Sequence, residues 1–508
     1  MEGAVGASWR HKLIAVVTSL FLTIGSSYMS AALTTLKTLI LQHTYYRGQL
    51  IDNAKYGVMT SASHLINAIL PLFSGVFVDT YGPVYMSVFF SACITVGVLV
   101  MALGASRGNF TMISGGDIVQ GIGQTSIHMC QLKLYAHWFR GSTAGGPGLL
   151  GLVTGLDIAI GRVFGLMGTV TPMPLSDATG HWYWAFWLGF MFSMCALVLN
   201  LAYVAYDWTL PPNMKVAKSA DMKRSMSFWR QGSLYCQQLC QNLLLIPAAF
   251  WILILLQLLQ SGVVGTYETN SVDMMAQTRS DGSVNAVKNA SYKYSMHYAI
   301  PIVLTPLVGY FFDRVGHRSH VISVSAMLYI VSMALMGFTS VHPAVALLFD
   351  AFAFTMNSVP LISTIPLLVK QQVLIGTAHG LWKCFNNAGS TIMQVAAGAL
   401  QDRAIEDGKP TSKKYDYVLY FLLAMKAVDA MYGLFYHLLD KRYFGRVMVM
   451  TERQRIKADP EYRGRLLERH ALWTALGCIV FVLMMVASYT LFIIYWMTDT
   501  RAKPGQGP

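Results

Sequence analysis

The sequence predicts an all-α membrane protein, with twelve spanning helices in two halves of six and a thirteenth near the C-terminus. Three observations predict it. Of 508 residues, 54% are hydrophobic and only 12% charged, whereas a soluble domain is about a quarter charged. Apolar runs long enough to cross the hydrocarbon, about 20 residues, recur along the chain. One short pattern also occurs twice, as GVFVDTYGPV at 75–84 and as GYFFDRVGHR at 309–318.

The runs cover 13–36, 56–78, 84–104, 111–136, 147–170, 183–206, 246–267, 296–312, 320–339, 343–369, 376–400 and 417–439. The first is too long for a signal-peptide core and reads as a transmembrane helix. The boundaries expected are an N-terminal six-helix half at 1–206, a basic connector at 207–245 and a C-terminal half at 246–439. A basic segment at 440–472, an extra helix at 473–497 with Trp473 and Trp496 near its ends, and a tail at 498–508 complete the chain. Tryptophans at those places suit membrane interfaces. Six plus six with a long middle loop is the plan of two-fold repeated transporters.

The net charge of +13 is spread over loops between apolar runs. Basic cytosolic loops account for it better than nucleic acid does. With the N-terminus in the cytosol, 20 of the 37 Lys and Arg fall on the inner side and 11 in outer loops. Acceptor sequons at Asn109 (NFT) and Asn289 (NAS) then both lie outside, as glycosylation requires. The seven cysteines form no CxxC or His-flanked cluster, so neither metal nor disulfide framework is expected. No nucleophile–base pair or phosphate-cradling loop is visible, so no enzyme and no cofactor is expected.

Each copy of the repeat places Gly, Asp and Gly at the same spacing: Gly75, Asp79 and Gly82, then Gly309, Asp313 and Gly316. A glycine one turn before the acid allows close helix approach. The acid can face another helix's N-terminal dipole, and the second glycine permits a tight reversal. A contact of this kind can hold one conformation and break in another. Both stretches resemble the loop 2–3 and loop 8–9 signature of the major facilitator superfamily. That signature ends in basic residues. The second copy keeps Arg318, while the first has Pro83 and Val84 instead.

Charges within apolar runs are costly and usually face the bundle interior. Arg162, in GLDIAIGRVFGLMG, lies several turns from either end of its run. It can take a carboxylate bidentately or form a structural ion pair with a neighbouring helix. Asp157 is five residues away and points to a different face. The fourth run carries Asp117, Gln120, His128, Gln131 and Lys133; the eleventh carries His379, Lys383, Asn386 and Asn387. Lys426 and Asp429 are three apart and suit a local pair.

Within the superfamily, WFRG, GLDIAIGR and GTAHG…NNAG…AAGALQD resemble the lysosomal dipeptide uniporter branch. The resemblance implies that Arg162 binds the peptide carboxylate and that Gln131 lines the site. The branch's acidic fourth-helix residue falls on Thr125, and a basic residue two turns earlier falls on Asp117. Asp117, Thr125, Gln131, Lys383 and Asn387 are therefore expected to line the cavity with Arg162. The resemblance further implies a dipeptide uniporter delivering its solute to the cytosol from a lysosome or vacuole, and a glycosylated single-span accessory membrane protein as partner. The plasma membrane is the other location considered. An organic-anion or amino-acid carrier, with Asp117 or Asp157 as a coupling acid, and a non-transporting sensor are the competing readings.

Overall fold

Hydrocarbon offers no partner to a backbone N–H or C=O, so each apolar run must satisfy its own as a helix. The computed structural model describes residues 9–499 apart from 37–38, 41–42, 47, 51–52, 140–148, 217–236, 238, 280–288, 291, 370–373, 409, 411–412, 443–447, 452–453 and 455–470. Most of the basic connector, most of the 440–472 segment and nearly all of the tail lie outside the described residues, as do the side chains of Trp473 and Trp496.

Twelve helices follow in order. They are α1 (Trp9–Thr35), α2 (Asn53–Tyr81), α3 (Pro83–Ser106), α4 (Phe110–Phe139), α5 (Leu150–Val170), α6 (Trp184–Thr209), α7 in two segments (Ala248–Leu255 and Gln257–Arg279), α8 (Met296–Val315), α9 (Arg318–Phe338), α10 (Pro343–Leu368), α11 (Ile375–Glu406) and α12 (Asp416–Arg442). A further helix, α13 (Ala471–Asp499), stands where the thirteenth run predicts one. Among the described residues ten segments are long and apolar enough to span, α13 included; α2, α4 and α11 are not among them. For α4 the reason is burial. From Thr125 to Phe139 nearly every side chain is enclosed by protein, so polar groups such as Gln131, Lys133 and His137 replace a lipid face. The seventh run is longer than its apolarity predicts. Helix α7 continues past residue 267 to Arg279, which places Glu268 inside the helix.

The two halves meet through two helix pairs, α2 with α11 and α5 with α8. The pairs repeat one another in detail. In the first, Gly75 lies on the Gly376 carbonyl and Gly380 on the Pro71 carbonyl. In the second, Gly309 lies on the Gly151 carbonyl and Gly155 on the Thr305 carbonyl. Any Cβ there would collide with backbone, so the approach depends on glycine.

That approach carries the repeated aspartates onto the opposite helix. Asp79 accepts from the N–H groups of Gly376 (3.0 Å) and Thr377 (2.7 Å), and from the Thr377 hydroxyl (2.6 Å). Asp313 accepts from Gly151 N–H and Leu152 N–H, both at 3.0 Å. Each carboxylate thus satisfies donors that a helix N-terminus leaves open. Both acids are buried, at 0% and 3% exposure, and each has a cation. Arg318 reaches Asp313 at 3.4 Å from the loop itself. The first loop lacks that cation, and Lys133 of α4 supplies it, at 2.7 Å from Asp79. The glycines that end the patterns, Gly82 (φ 90°) and Gly316 (φ 73°), adopt backbone angles that other residues rarely hold. The second loop is further covered by the chain after α12. Met448 and Val449 carbonyls accept from Arg318 N–H and His317 N–H.

The helix α13 packs on α11, on the first segment of α7 and on the edge of α2. Gly477 lies flat against the Trp251 indole, with no room for a Cβ. Of the two sequon asparagines, Asn109 is exposed and its Oδ1 accepts from Met112 N–H, opening α4; Asn289 is exposed. Lys426 and Asp429 pair at 2.7 Å, both buried.

Two outcomes follow for stability. Removing one member of a buried pair costs about 3–5 kcal/mol, so Lys133→Met lowers the melting temperature of the purified protein. Adding Val84→Arg, at the place Arg318 holds in the other copy, restores part of the loss. Overpacking costs about 1–3 kcal/mol, so Gly477→Val lowers the melting temperature less. Deleting α13 itself, from residue 471 on, leaves solute flux intact.

Candidate transport site

Two polar centres sit between the helices, on either side of α5. In the first, Gln131 of α4 donates to the Ser19 carbonyl (2.8 Å) and to Asp157 Oδ1 (2.9 Å). The Tyr135 hydroxyl donates to the same oxygen at 3.0 Å. Asp157 is half-buried. Both donors engage Oδ1.

The second centre is built around Arg162. Its Nη1 lies 3.1 Å from His297 Nε2 on α8. A guanidinium only donates, so Nε2 accepts and the ring proton sits on Nδ1. Nδ1 faces Asp350 Oδ2 on α10 at 2.5 Å. Glu268 Oε1 on α7 lies 3.4 Å from Nε2 on its other side. The guanidinium also stands over the Phe354 ring at 3.9 Å and near the Tyr298 ring at 5.0 Å. Among the described residues no carboxylate pairs with Arg162; its polar partner is an imidazole. The structural ion pair weighed from the sequence is therefore replaced by a hydrogen bond to histidine.

Helix α11 brings a third group. Lys383 is half-buried and within electrostatic reach of His128 and His379. Asn387 Nδ2 donates to the Asn67 carbonyl at 2.5 Å, and Asn386 donates to Ser261 at 2.8 Å. Thr125 is buried and Asp117 half-buried. Of the residues expected to line one cavity, Arg162 contacts His297, Lys383 stands near His128 and His379, and Gln131 holds Asp157. Asn387 ties α11 to α2.

Sequence reasoning missed Glu268, His297 and Asp350. Glu268 lay one residue beyond the seventh run and was assigned to a loop. His297 stood at the start of its run. Asp350 had a signal: it is the single acid in the apolar stretch 343–369, which marks a site by the ordinary cost of intramembrane charge.

Comparison with known proteins agrees with this architecture. The family model described as Major Facilitator Superfamily matches residues 14–393. A human protein named lysosomal dipeptide transporter MFSD1 is 22% identical over 467 residues, covering 88% of this chain and 90% of its own. The zebrafish (Danio rerio) protein of that name is 23% identical over 416 residues, covering 77% of this chain and 81% of its own. Among solved structures, the human organic anion transporter MFSD10 superposes with a TM-score of 0.58 at 14% identity, over 84% of this chain and 98% of its own. The Escherichia coli fucose:proton symporter FucP superposes with a TM-score of 0.53 at 12% identity, over 84% of this chain and 98% of its own. Two six-helix halves, the twin aspartate latches and a family match over most of the length make this chain a member of the major facilitator superfamily.

Proposed function

We propose that the chain carries short peptides, dipeptides first, by alternating access from a lysosomal or vacuolar lumen to the cytosol. The observation that carries this reading is Arg162: a half-buried guanidinium between the halves, backed by Phe354 and Tyr298 and paired with no carboxylate among the described residues. A carboxylate ligand supplies the missing partner in bidentate form. The relatives named dipeptide transporters support the solute class.

Asp157 is the proposed acceptor for the peptide's amino end. It stands five residues before Arg162, about 7.5 Å along the axis at 1.5 Å per residue. Two extended residues span about 7 Å. The two side chains leave the helix roughly 140° apart, so the peptide would lie across α5 and not along one face. Gln131 and Tyr135 hold the acid in place. In the transport cycle the Asp79 and Asp313 contacts close the cytosolic side and part when the site opens inward. The twin loops then act as gates, with Gly75 and Gly309 setting the close approach, Gly82 and Gly316 making the turns, and Lys133 and Arg318 neutralising the acids.

Lys383 favours a second reading, an organic-anion carrier, because its neighbours His128 and His379 add no negative charge. Uptake into liposomes separates the two. The purified protein takes up dipeptides, and Arg162→Ala abolishes uptake. A lost hydrogen bond to a charged group is worth about 1.5–3 kcal/mol, so Asp157→Asn raises the KM for dipeptides about tenfold or more. The same variant leaves N-acetylated dipeptides, which lack the ammonium, unaffected. Uptake of organic anions alone, dependent on Lys383, would establish the second reading instead.

A further inference from the structure

The centre around His297 holds more charge than solute binding uses. Glu268 and Asp350 are two acids facing one imidazole, and Arg162 is the single cation in contact with it among the described residues. Asp350 is fully buried, and its Oδ1 has no hydrogen-bond partner. His297 is 1% exposed, while the Glu268 side chain retains 26% exposure. With a neutral ring and ionised partners the group carries one net negative charge away from bulk water. Such a charge is strongly disfavoured unless paired.

The geometry makes Nε2 a switch. It lies between Arg162 Nη1 at 3.1 Å and Glu268 Oε1 at 3.4 Å. While the guanidinium donates to it, Nε2 has no lone pair free for a proton. Once the guanidinium leaves, Nε2 can take a proton and donate it to Glu268, while Nδ1–H stays on Asp350. We infer that Glu268, His297 and Asp350 form the proton-carrying site of this transporter, loaded when solute draws Arg162 away from the ring. The inference rests on Arg162 being the carboxylate ligand proposed above, and it replaces the uniport that the family resemblance implies with proton symport.

The step balances. A solute carboxylate ligates Arg162 and cancels its charge, leaving two acids facing a neutral ring. One proton from lumenal water, passed through the partly exposed Glu268, binds Nε2 as an N–H. On the cytosolic side the solute departs, Nε2 gives its proton to water, and Arg162 returns to the vacated nitrogen. One proton crosses per solute. Without solute, Arg162 occupies Nε2 and blocks a proton leak.

The surroundings suit a site that keeps its proton. The Tyr294 ring stacks on His297 at 5.1 Å, with Tyr298 and Phe354 edge-on at 5.3 Å and 5.6 Å. The other titratable groups near the cluster are Tyr267 on α7 and Tyr329 on α9. The latter faces Lys426 of α12 at 5.0 Å, and Asp429 already neutralises that lysine.

Proteoliposomes test this with two measurements on one preparation. With the membrane potential clamped at zero by a potassium ionophore, a gradient of one pH unit, acid outside, sustains about tenfold solute accumulation for one proton per zwitterion. The wild type reaches that ratio with dipeptides. His297→Gln, and Glu268→Gln as a second variant, lose the accumulation: whatever their exchange rate at equal pH, solute only equilibrates across the pH gradient. Simple equilibration by the wild type, or full accumulation by His297→Gln, overturns the inference while leaving peptide transport standing. Should dipeptides not move but another solute of the panel does, the peptide reading fails, and the same two measurements on that solute decide the coupling. A solute-free readout covers a silent panel. In histidine 15N NMR, with His297→Gln for assignment, the His297 signal turns imidazolium at higher pH in Arg162→Gln than in wild type; an unmoved signal overturns the inference.

Discussion

A carboxylate seated on the N-terminus of a helix from the opposite half is the contact on which the arrangement of this protein depends. It occurs twice, and each occurrence has the same parts. A glycine lets two backbones touch, the acid one turn later reaches two N–H groups, and a cation offsets the burial. None of the parts works alone. Asp79 at 0% exposure without its donors would be an isolated charge in a low-dielectric interior. Gly376 with a side chain would push α11 out of the acid's reach, since a Cβ there would lie 2.7 Å from Asp79 Oδ1. The donors on α5 and α11 are the groups every helix N-terminus leaves unpaired, so the contact uses what the fold already offers.

The same geometry explains how such a closure can open. At the two crossings glycines lie directly on backbone carbonyls of the opposite half. The attraction at the cytosolic end is concentrated in a handful of directional hydrogen bonds. These weaken steeply as their geometry is lost, so the closure yields over a short movement. Helices α5 and α8 also carry polar contacts at both ends of their crossing. Gly151 and Leu152 meet Asp313 at one end, and Arg162 meets His297 further along. On the proposed reading, a solute that reorients Arg162 acts on the same helix pair that bears the Asp313 contact.

The legible part of the sequence was what repeats or what is locally spaced. The twelve runs, the extra helix, the twin Gly-Asp-Gly loops and the Lys426–Asp429 pair needed no tertiary knowledge. The cation of the first loop was not legible, because Lys133 lies 54 residues from Asp79 and reads as one of several polar residues on α4. Glu268 was hidden by a boundary. Apolarity ends at 267, but the helix continues, because protein and not lipid surrounds that stretch. Asp350 is legible as the lone acid of the apolar stretch 343–369, but nothing in its spacing points to a histidine partner. The arrangement of these groups around one imidazole depends on the meeting of α5, α7, α8 and α10, which no spacing rule encodes.

The two crossings differ in one respect, and that difference sets the division of labour. Beyond its latch, α11 meets α2 through a neutral bond, Asn387 to the Asn67 carbonyl. Beyond its latch, α8 meets α5 through Arg162 and His297, with two acids behind the ring. A neutral amide–carbonyl bond has no charge state for a solute or a proton to change, so the Asn387–Asn67 bond does not itself respond to occupancy. The α5–α8 crossing changes its pairing with each ligand. In a pseudo-symmetric fold both crossings start as equivalent joints. Carrying Arg162, His297 and two acids beyond its latch makes the α5–α8 crossing, on the proposed reading, the joint that answers to ligand.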